Sequence, residues 1–142
     1  MTPVIRSATP DDLSTLVEIE KQSFSHPHWD RESFLRYRCK VAEINGRIAG
    51  FVVSRQTFAG DPHTVPEREI LNIAVAAPYR RMGIATVLLL DELSEQAVYF
   101  LEVRESNTAA QALYRKIGFV QVASRPEYYE CPRERAIVMQ MK

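Results

Sequence analysis

The sequence predicts a mixed α/β fold, a sheet with helices on its faces, and three observations carry that reading. Strand and helix signals follow one another in the order β-α-α-β-β-β-α-β-α-β-β, the succession expected when helices cover a sheet. Asn45-Gly46 stands between two apolar runs and marks a hairpin, so part of the sheet is antiparallel. The segment from Gly83 to about Glu95 reads as a helix whose first half is apolar nearly all round, which suits burial against a sheet. A chain of 142 residues fits one domain, 1–142, with a real core.

In chain order, Val4 to Ala8 reads as a short strand, and Thr9-Pro10-Asp11-Asp12 supplies an N-cap, a proline at the first helical position and acids in the first turn. Leu13, Leu16, Val17, Ile19 and Phe24 recur at helical spacing, which predicts an amphipathic helix over residues 10–24 that Pro27 ends. A shorter helix covers Arg31 to Tyr37. Val41–Ile44 and Arg47–Val53 form the two arms of the hairpin, and Arg55 to Arg68, with Gly60, Pro62 and Pro66, reads as a long loop. Ile70–Val75 is a strand ended by Pro78, and Val98–Val103 is another. Asn107 caps a helix that runs to Ile117, with Arg115 and Lys116 in its last turn and Gly118 as its stop. Phe119–Ala123 and Ala136–Met141 make the last hairpin.

Composition narrows the function. With 46% hydrophobic and 25% charged residues, the chain falls outside the disordered, collagen-like and disulfide-rich classes. Eighteen basic and eighteen acidic residues cancel, so the broad positive field of a nucleic-acid binder is absent and no nucleic-acid partner is expected. Met1 to Arg6 holds no apolar core of signal-peptide length, and the run Val87-Leu88-Leu89-Leu90 is too short for a bilayer, so the expectation is a cytoplasmic protein without a membrane partner. Cys39 and Cys131 stand alone and read as plain thiols, and His26 and His28 read as solvated loop residues rather than ligands, so no metal is expected.

The chemistry concentrates in two stretches. In the first, Ile73-Ala74-Val75 leads through Arg80-Arg81-Met82-Gly83-Ile84-Ala85 into a helix. Gly83 and Ala85 leave backbone N–H groups uncovered, the helix dipole favours an anion, and Arg80 and Arg81 add positive charge, which together suit a pyrophosphate. Alone, the pattern also fits a helix entry with solvated arginines. It is neither GxxxxGK[ST] nor GxGxxG, which disfavours P-loop hydrolysis and Rossmann binding.

The second stretch is Leu101 to Asn107 followed by Ala112-Leu113-Tyr114 and Gly118-Phe119. Glu102 is a carboxylate inside an apolar strand, where unpartnered burial is costly, so it is expected to face a cleft; an ordinary strand-end acid is the alternative. Asn107 and Tyr114 lie two helical turns apart on one face with Ala110, a face read as polar, beside Leu113 and Ile117, which carry the packing. By itself a tyrosine there is equally a packing residue.

Arg80-Arg81-Met82-Gly83-Ile84-Ala85 resembles the (Gln/Arg)-x-x-Gly-x-(Gly/Ala) signature of the GNAT superfamily of acetyltransferases. Asn72 to Val75, Leu101 to Asn107, Ala112-Leu113-Tyr114, Gly118-Phe119, Pro27-x-Trp29 and Tyr128-Tyr129 resemble the RimI branch, which acetylates the N-terminus of a ribosomal protein. The resemblance implies acetyl-CoA as co-substrate, held where two central parallel strands splay apart. The backbone of Ile73, Ala74 and Val75 would meet the pantetheine arm, the segment Arg81, Met82, Gly83, Ile84, Ala85 and Thr86 would cradle the pyrophosphate, and Asn107 would touch the cofactor. It implies Glu102 as general base and Tyr114 as general acid. The loop 55–68 is longer than in that branch, and Pro126 precedes Tyr128-Tyr129 where the branch has no proline; both bear on the acceptor.

An amine attacks a thioester only when neutral. The usual pKa is about 7.7–8.0 for an α-amine and about 10.4 for lysine, which favours a protein or peptide N-terminus as acceptor; the resemblance implies that of a ribosomal protein. A backbone N–H of the Ile73–Val75 strand would hold the developing oxyanion. A small-molecule amine or a lysine side chain is the rival acceptor, and a non-catalytic acyl-CoA-binding module is the rival class; a mere binder needs the arginine turn but not Glu102 and Tyr114. Monomer and homodimer are both compatible with the sequence.

Overall fold

Thr9 and Pro10 open the first helix as expected, through a 3-10 turn at Pro10–Asp12 in which the Thr9 N–H donates to Asp12 Oδ2 at 2.7 Å. This computed structural model describes residues 2–24, 29–130 and 132–142. The readings on His26, Pro27, His28 and Cys131 lie outside the described residues. The elements are β1 (Val4–Ser7), α1 (Leu13–Ser23), α2 (Arg31–Arg36), β2 (Arg38–Ile44), β3 (Arg47–Phe58), β4 (Glu67–Val75), α3 (Ile84–Glu92), β5 (Val98–Arg104), α4 (Thr108–Ile117), β6 (Val120–Tyr129) and β7 (Glu134–Met141). They occur in the predicted order, and the sheet is seven-stranded, β1-β2-β3-β4-β5-β7-β6. It is mixed: β4 and β5 are parallel, while β1–β2, β2–β3, β5–β7 and β6–β7 are antiparallel.

The chain divides into two compact units, Met1–Arg55 with Leu71–Ser94, and Gln56–Ile70 with Glu95–Lys142. In the first, Asn45 (φ 51) and Gly46 (φ 79) make the tight turn between β2 and β3. Alternation along β2 separates the two faces of the sheet. Cys39 and Val41 join Leu13, Leu16 and Ile19 of α1 and Phe34 of α2 in one core cluster, where Phe34 meets Phe51 edge-on at 5.1 Å. Arg38 and Lys40 point the other way, to α3. Helices therefore cover both faces. Gly50 is required by proximity: a Cβ there would stand 2.7 Å from the Ala74 carbonyl, so β3 and β4 approach as closely as they do only with glycine.

In the second unit, β4 pairs with β5 from Glu67↔Val98 to Ile70↔Leu101, and β5 pairs with β7 from Tyr99↔Met141 to Arg104↔Ala136. The parallel ladder stops at Ile70 and Leu101. Beyond it, Leu71–Val75 is the edge of the first unit's sheet, and Glu102–Arg104 has a strand partner on its β7 side alone among the described residues.

Three readings need correction. Arg55–Phe58 continues β3 and Glu67–Arg68 begins β4, so the loop narrows to 59–66; the polar stretch alternates less visibly because its side chains are exposed. The last hairpin is longer than predicted, reaching Tyr129 and Glu134. On α4 the buried residues are Gln111 and Tyr114, while Leu113 and Ile117 are half-buried, so the face read as polar supplies the packing. Tyr114 stacks edge-on to Phe119 at 5.9 Å.

Candidate active site

The end of β4 and the start of α3 form a turn with the features of an anion site. Ala76 N–H donates to Ala49 O at 2.8 Å, and a 3-10 turn at Ala77–Tyr79 leads to Arg80. Arg81 (φ 63) and Gly83 (φ 77) both adopt left-handed backbone, the alternation that turns successive N–H groups to one concave side. Among the described residues nothing accepts from the N–H groups of Arg81 through Thr86; the first bond of the helix is Val87 N–H to Gly83 O at 3.1 Å. A Cβ on Gly83 would meet nothing within 4 Å, so its side opens to space. Unbonded N–H groups, a helix N-terminus and exposed Arg81 fit a pyrophosphate.

The predicted residues here have different employments. Arg81, Met82 and Gly83 are exposed, Ala85 and Thr86 are half-buried, and Ile84 is buried as the helix anchor. Arg80 is a brace: its Nε donates to Val75 O at 3.1 Å and its Nη2 to Ser23 Oγ at 3.4 Å, tying the end of β4 to α1. Ile73 and Val75 are half-buried along the strand edge, and Ala74 is turned into the core. Behind this edge, Asn72 Nδ2 donates to Glu20 Oε2 at 2.9 Å, and Glu20 is buried. Sequence reading missed that pair, although Glu20 follows Leu16 and Leu13 at helical spacing and so falls on the apolar face of α1. It also missed Glu92, 1% exposed, which accepts from Ser54 Oγ and from Arg38 Nη2 at 2.6 Å, with Lys40 Nζ at 3.5 Å.

The second unit holds the candidate acid–base residues. Glu102 lies on β5 with its side chain 15% exposed. Arg125 on β6 reaches its Oε1 through Nε at 3.3 Å, while Oε2 is buried and has no hydrogen-bond partner among the described residues. Tyr128 and Tyr129, rings 5.1 Å apart, complete the surroundings. Both phenols are held above their ordinary range, by burial first and then by the Glu102 charge. Arg104 lies over the Tyr129 ring at 4.5 Å and donates to Pro132 O at 3.0 Å and Glu130 O at 2.9 Å, which ties β5 to both of those residues.

Tyr114 is buried, and burial pushes its phenol up to about 12. Asn107 is exposed and is the α4 cap, its Oδ1 accepting from Ala110 N–H at 3.1 Å. Cys39, the remaining described thiol, is buried and pushed up to about 12 by desolvation, so it is inert. Among the described residues no group of three or more His, Cys, Asp or Glu is arranged to hold a metal, and no helix is long and apolar enough to cross a membrane.

Comparison with known proteins bears on the family and the fold. The sequence pattern of the Acetyltransferase (GNAT) family matches residues 8–119. The [ribosomal protein bS18]-alanine N-acetyltransferase of Escherichia coli (strain K12) is 34% identical over 147 residues, covering 95% of this chain and 94% of that protein. An uncharacterized protein of Mycobacterium leprae (strain TN) is 36% identical over 146 residues, covering 96% of this chain; the chain spans 40% of that relative's length. The crystal structure of the ribosomal-protein-S18-alanine N-acetyltransferase from Escherichia coli superposes with a TM-score of 0.82 at 33% identity, covering 99% of this chain and 93% of that one. A turn with unbonded N–H groups, a mixed seven-stranded sheet with one parallel pair, and a match over most of the sequence converge on one conclusion: the chain belongs to the GNAT family of acetyltransferases.

Proposed function

We propose that the protein transfers an acetyl group from acetyl-CoA to the α-amine of a protein or peptide N-terminus. The observation that carries the co-substrate half is the run of unbonded N–H groups from Arg81 to Thr86 at the start of α3, which matches a pyrophosphate. The acceptor half is supported by the bS18-alanine N-acetyltransferase, whose length the chain spans almost fully.

Acetyl-CoA supplies the activated thioester. Arg81, Met82, Gly83, Ile84, Ala85 and Thr86 hold the pyrophosphate, and the edge of β4 at Ile73, Ala74 and Val75 presents backbone donors and acceptors to the pantetheine arm. The exposed Asn107 is the remaining cofactor contact. Glu102, with one desolvated oxygen lacking a partner, takes the proton that the acceptor amine must lose. The α-amine is preferred to lysine because its usual pKa is lower by about 2.5 units, or about 3.4 kcal/mol of deprotonation at neutral pH.

Tyr114 assists the leaving sulfur. With its phenol near 12, complete transfer to a thiolate of pKa about 8.5 is uphill by about 3.5 units, so donation of a hydrogen bond is the larger part of its role. Released thiol, followed with acetyl-CoA and an alanine-initiated peptide, tests the proposal. Thiol release is expected with the free α-amine and is abolished by Nα-blocking. Equal release from an Nα-blocked, lysine-containing peptide would refute the assignment.

A further inference from the structure

Glu102 holds an unusual ion pair. Its partner, Arg125, makes a single long contact, Nε to Oε1 at 3.3 Å, from a side chain that is 58% exposed, while Oε2 remains buried without a partner among the described residues. A structural ion pair at a buried carboxylate is normally bidentate and short. Arg104, on the same strand as Glu102, shows the contrast: it reaches Glu134 at 3.2 Å and two main-chain carbonyls as well. The Arg125 clasp is held at one point and faces solvent.

Local backbone explains why the guanidinium is there. Pro126 follows Arg125 and biases it to extended backbone, and the β6–β7 register slips between Arg125↔Ala136 and Tyr129↔Glu134, with Glu127 at φ 54. The irregular segment delivers Arg125 and Tyr128 to the same carboxylate, Arg125 lying over the Tyr128 ring at 5.3 Å. The other charged or titratable groups of this neighbourhood are Tyr129 on β6, Arg104 on β5, Tyr114 on α4 and Glu69 on β4. Arg125 is thus the cation that touches Glu102, and an α-amine below its pKa is also a cation.

We infer that the Arg125 guanidinium is a resident competitor for the acceptor's ammonium group at Glu102, so that capturing an acceptor requires displacing it. This rests on the reading that Glu102 receives the acceptor amine. The clasp suits the purpose: it occupies the carboxylate in the free protein, yet an exposed single contact is weak enough to yield. Arg125 is in this sense a positioning residue that sets acceptor affinity.

The test is calorimetric titration of the full chain, as wild type, Arg125→Gln, Arg125→Lys and Glu102→Gln, with an alanine-initiated peptide and with its analogue carrying an α-hydroxyl in place of the α-amine. At about pH 6.5, below the usual α-amine range of about 7.7–8.0, Arg125→Gln is expected to bind the amine peptide about two- to fivefold tighter than wild type, the scale of an exposed ion pair. Arg125→Lys keeps wild-type affinity. The gain disappears at about pH 9.5 and is absent with the hydroxyl analogue.

Unchanged or weaker binding by Arg125→Gln at the lower pH would overturn the inference, as would a gain that persists at high pH or with the hydroxyl analogue. The Glu102→Gln arm separates the two levels. If it binds the amine peptide like wild type, Glu102 does not receive the ammonium and both readings fall; if it binds more weakly while Arg125→Gln is neutral, only the role of Arg125 falls.

Discussion

Replacing Gly83 separates the fold from the proposed anion site, because the residue is needed for its backbone and not for its space. Its φ of 77 lies in the left-handed region, while a Cβ there meets nothing within 4 Å. An alanine therefore incurs about 1–2 kcal/mol of backbone strain and recovers about 0.4–1 kcal/mol by restricting the unfolded chain, a net loss of about 1 kcal/mol. An unfolding entropy of about 2.1 cal/mol/K per residue over 142 residues makes 1 kcal/mol worth about 3 °C, so Gly83→Ala should melt about 3 °C below wild type and stay folded. Acetyl-CoA at a hundredfold excess over its Kd should raise the wild-type Tm by about 9 °C, from about 2.7 kcal/mol of linkage.

Gly83→Asp directs a carboxylate into the open side of the turn. A like charge about 5 Å from a phosphate, at an effective dielectric near 40, costs about 1–2 kcal/mol, so repulsion from both phosphates removes most of the stabilisation that acetyl-CoA gives at that concentration. Thermal melts with and without acetyl-CoA are the assay, and the Gly83→Asp shift should fall below about 3 °C. A full shift in that variant would refute the anion site at the start of α3.

Tyr114→Phe keeps the ring packed on Phe119 and deletes one hydroxyl, so folding and acetyl-CoA binding should survive while turnover falls about 10- to 100-fold, the value of one hydrogen bond to a charged group. An unfolded variant, or unchanged turnover, would make Tyr114 a packing residue. Acid stability should follow Asp12, which the Arg6 guanidinium holds down at about 2, helped by the Thr9 N–H, against an unfolded value near 3.8. A depressed folded pKa means stability present above pH ~4 and lost as pH falls toward 2. The shift corresponds to about 2 kcal/mol, reduced to about 1–2 because Arg6 is 34% exposed. In urea melts between those pH values, Asp12→Asn should flatten the slope; an unaltered slope would show that other carboxylates carry it.

Much of the fold was legible because its punctuation is local. Thr9-Pro10, Asn45-Gly46, Asn107 and Gly118 each mark an element boundary through one or two residues, and the structure uses each where expected. The turn from β4 into α3 was legible for the same reason. What escaped depends on partners distant in sequence. Glu92 is buried because Arg38 and Ser54 reach it from β2 and β3, and no spacing around Glu92 announces them. The bracing bonds of Arg80 also escaped, since nothing near it signals Ser23 on α1. Arg125 drew no attention, because an exposed arginine on a strand acquires meaning only when pairing with β7 and the slip after it carry it to Glu102. Val120 and Val122 are apolar yet exposed, since β6 ends the sheet.

The most direct measurement of the proposed chemistry is the turnover of Glu102→Gln at pH 7, with saturating acetyl-CoA and an alanine-initiated peptide. Glutamine keeps the shape and removes the basic oxygen that now lacks a partner, so turnover should fall by about 10²–10⁴ while the acetyl-CoA-induced rise in Tm stays at its wild-type value. Turnover within about threefold of wild type would contradict the assignment and leave Glu102 a strand-end acid clasped by Arg125.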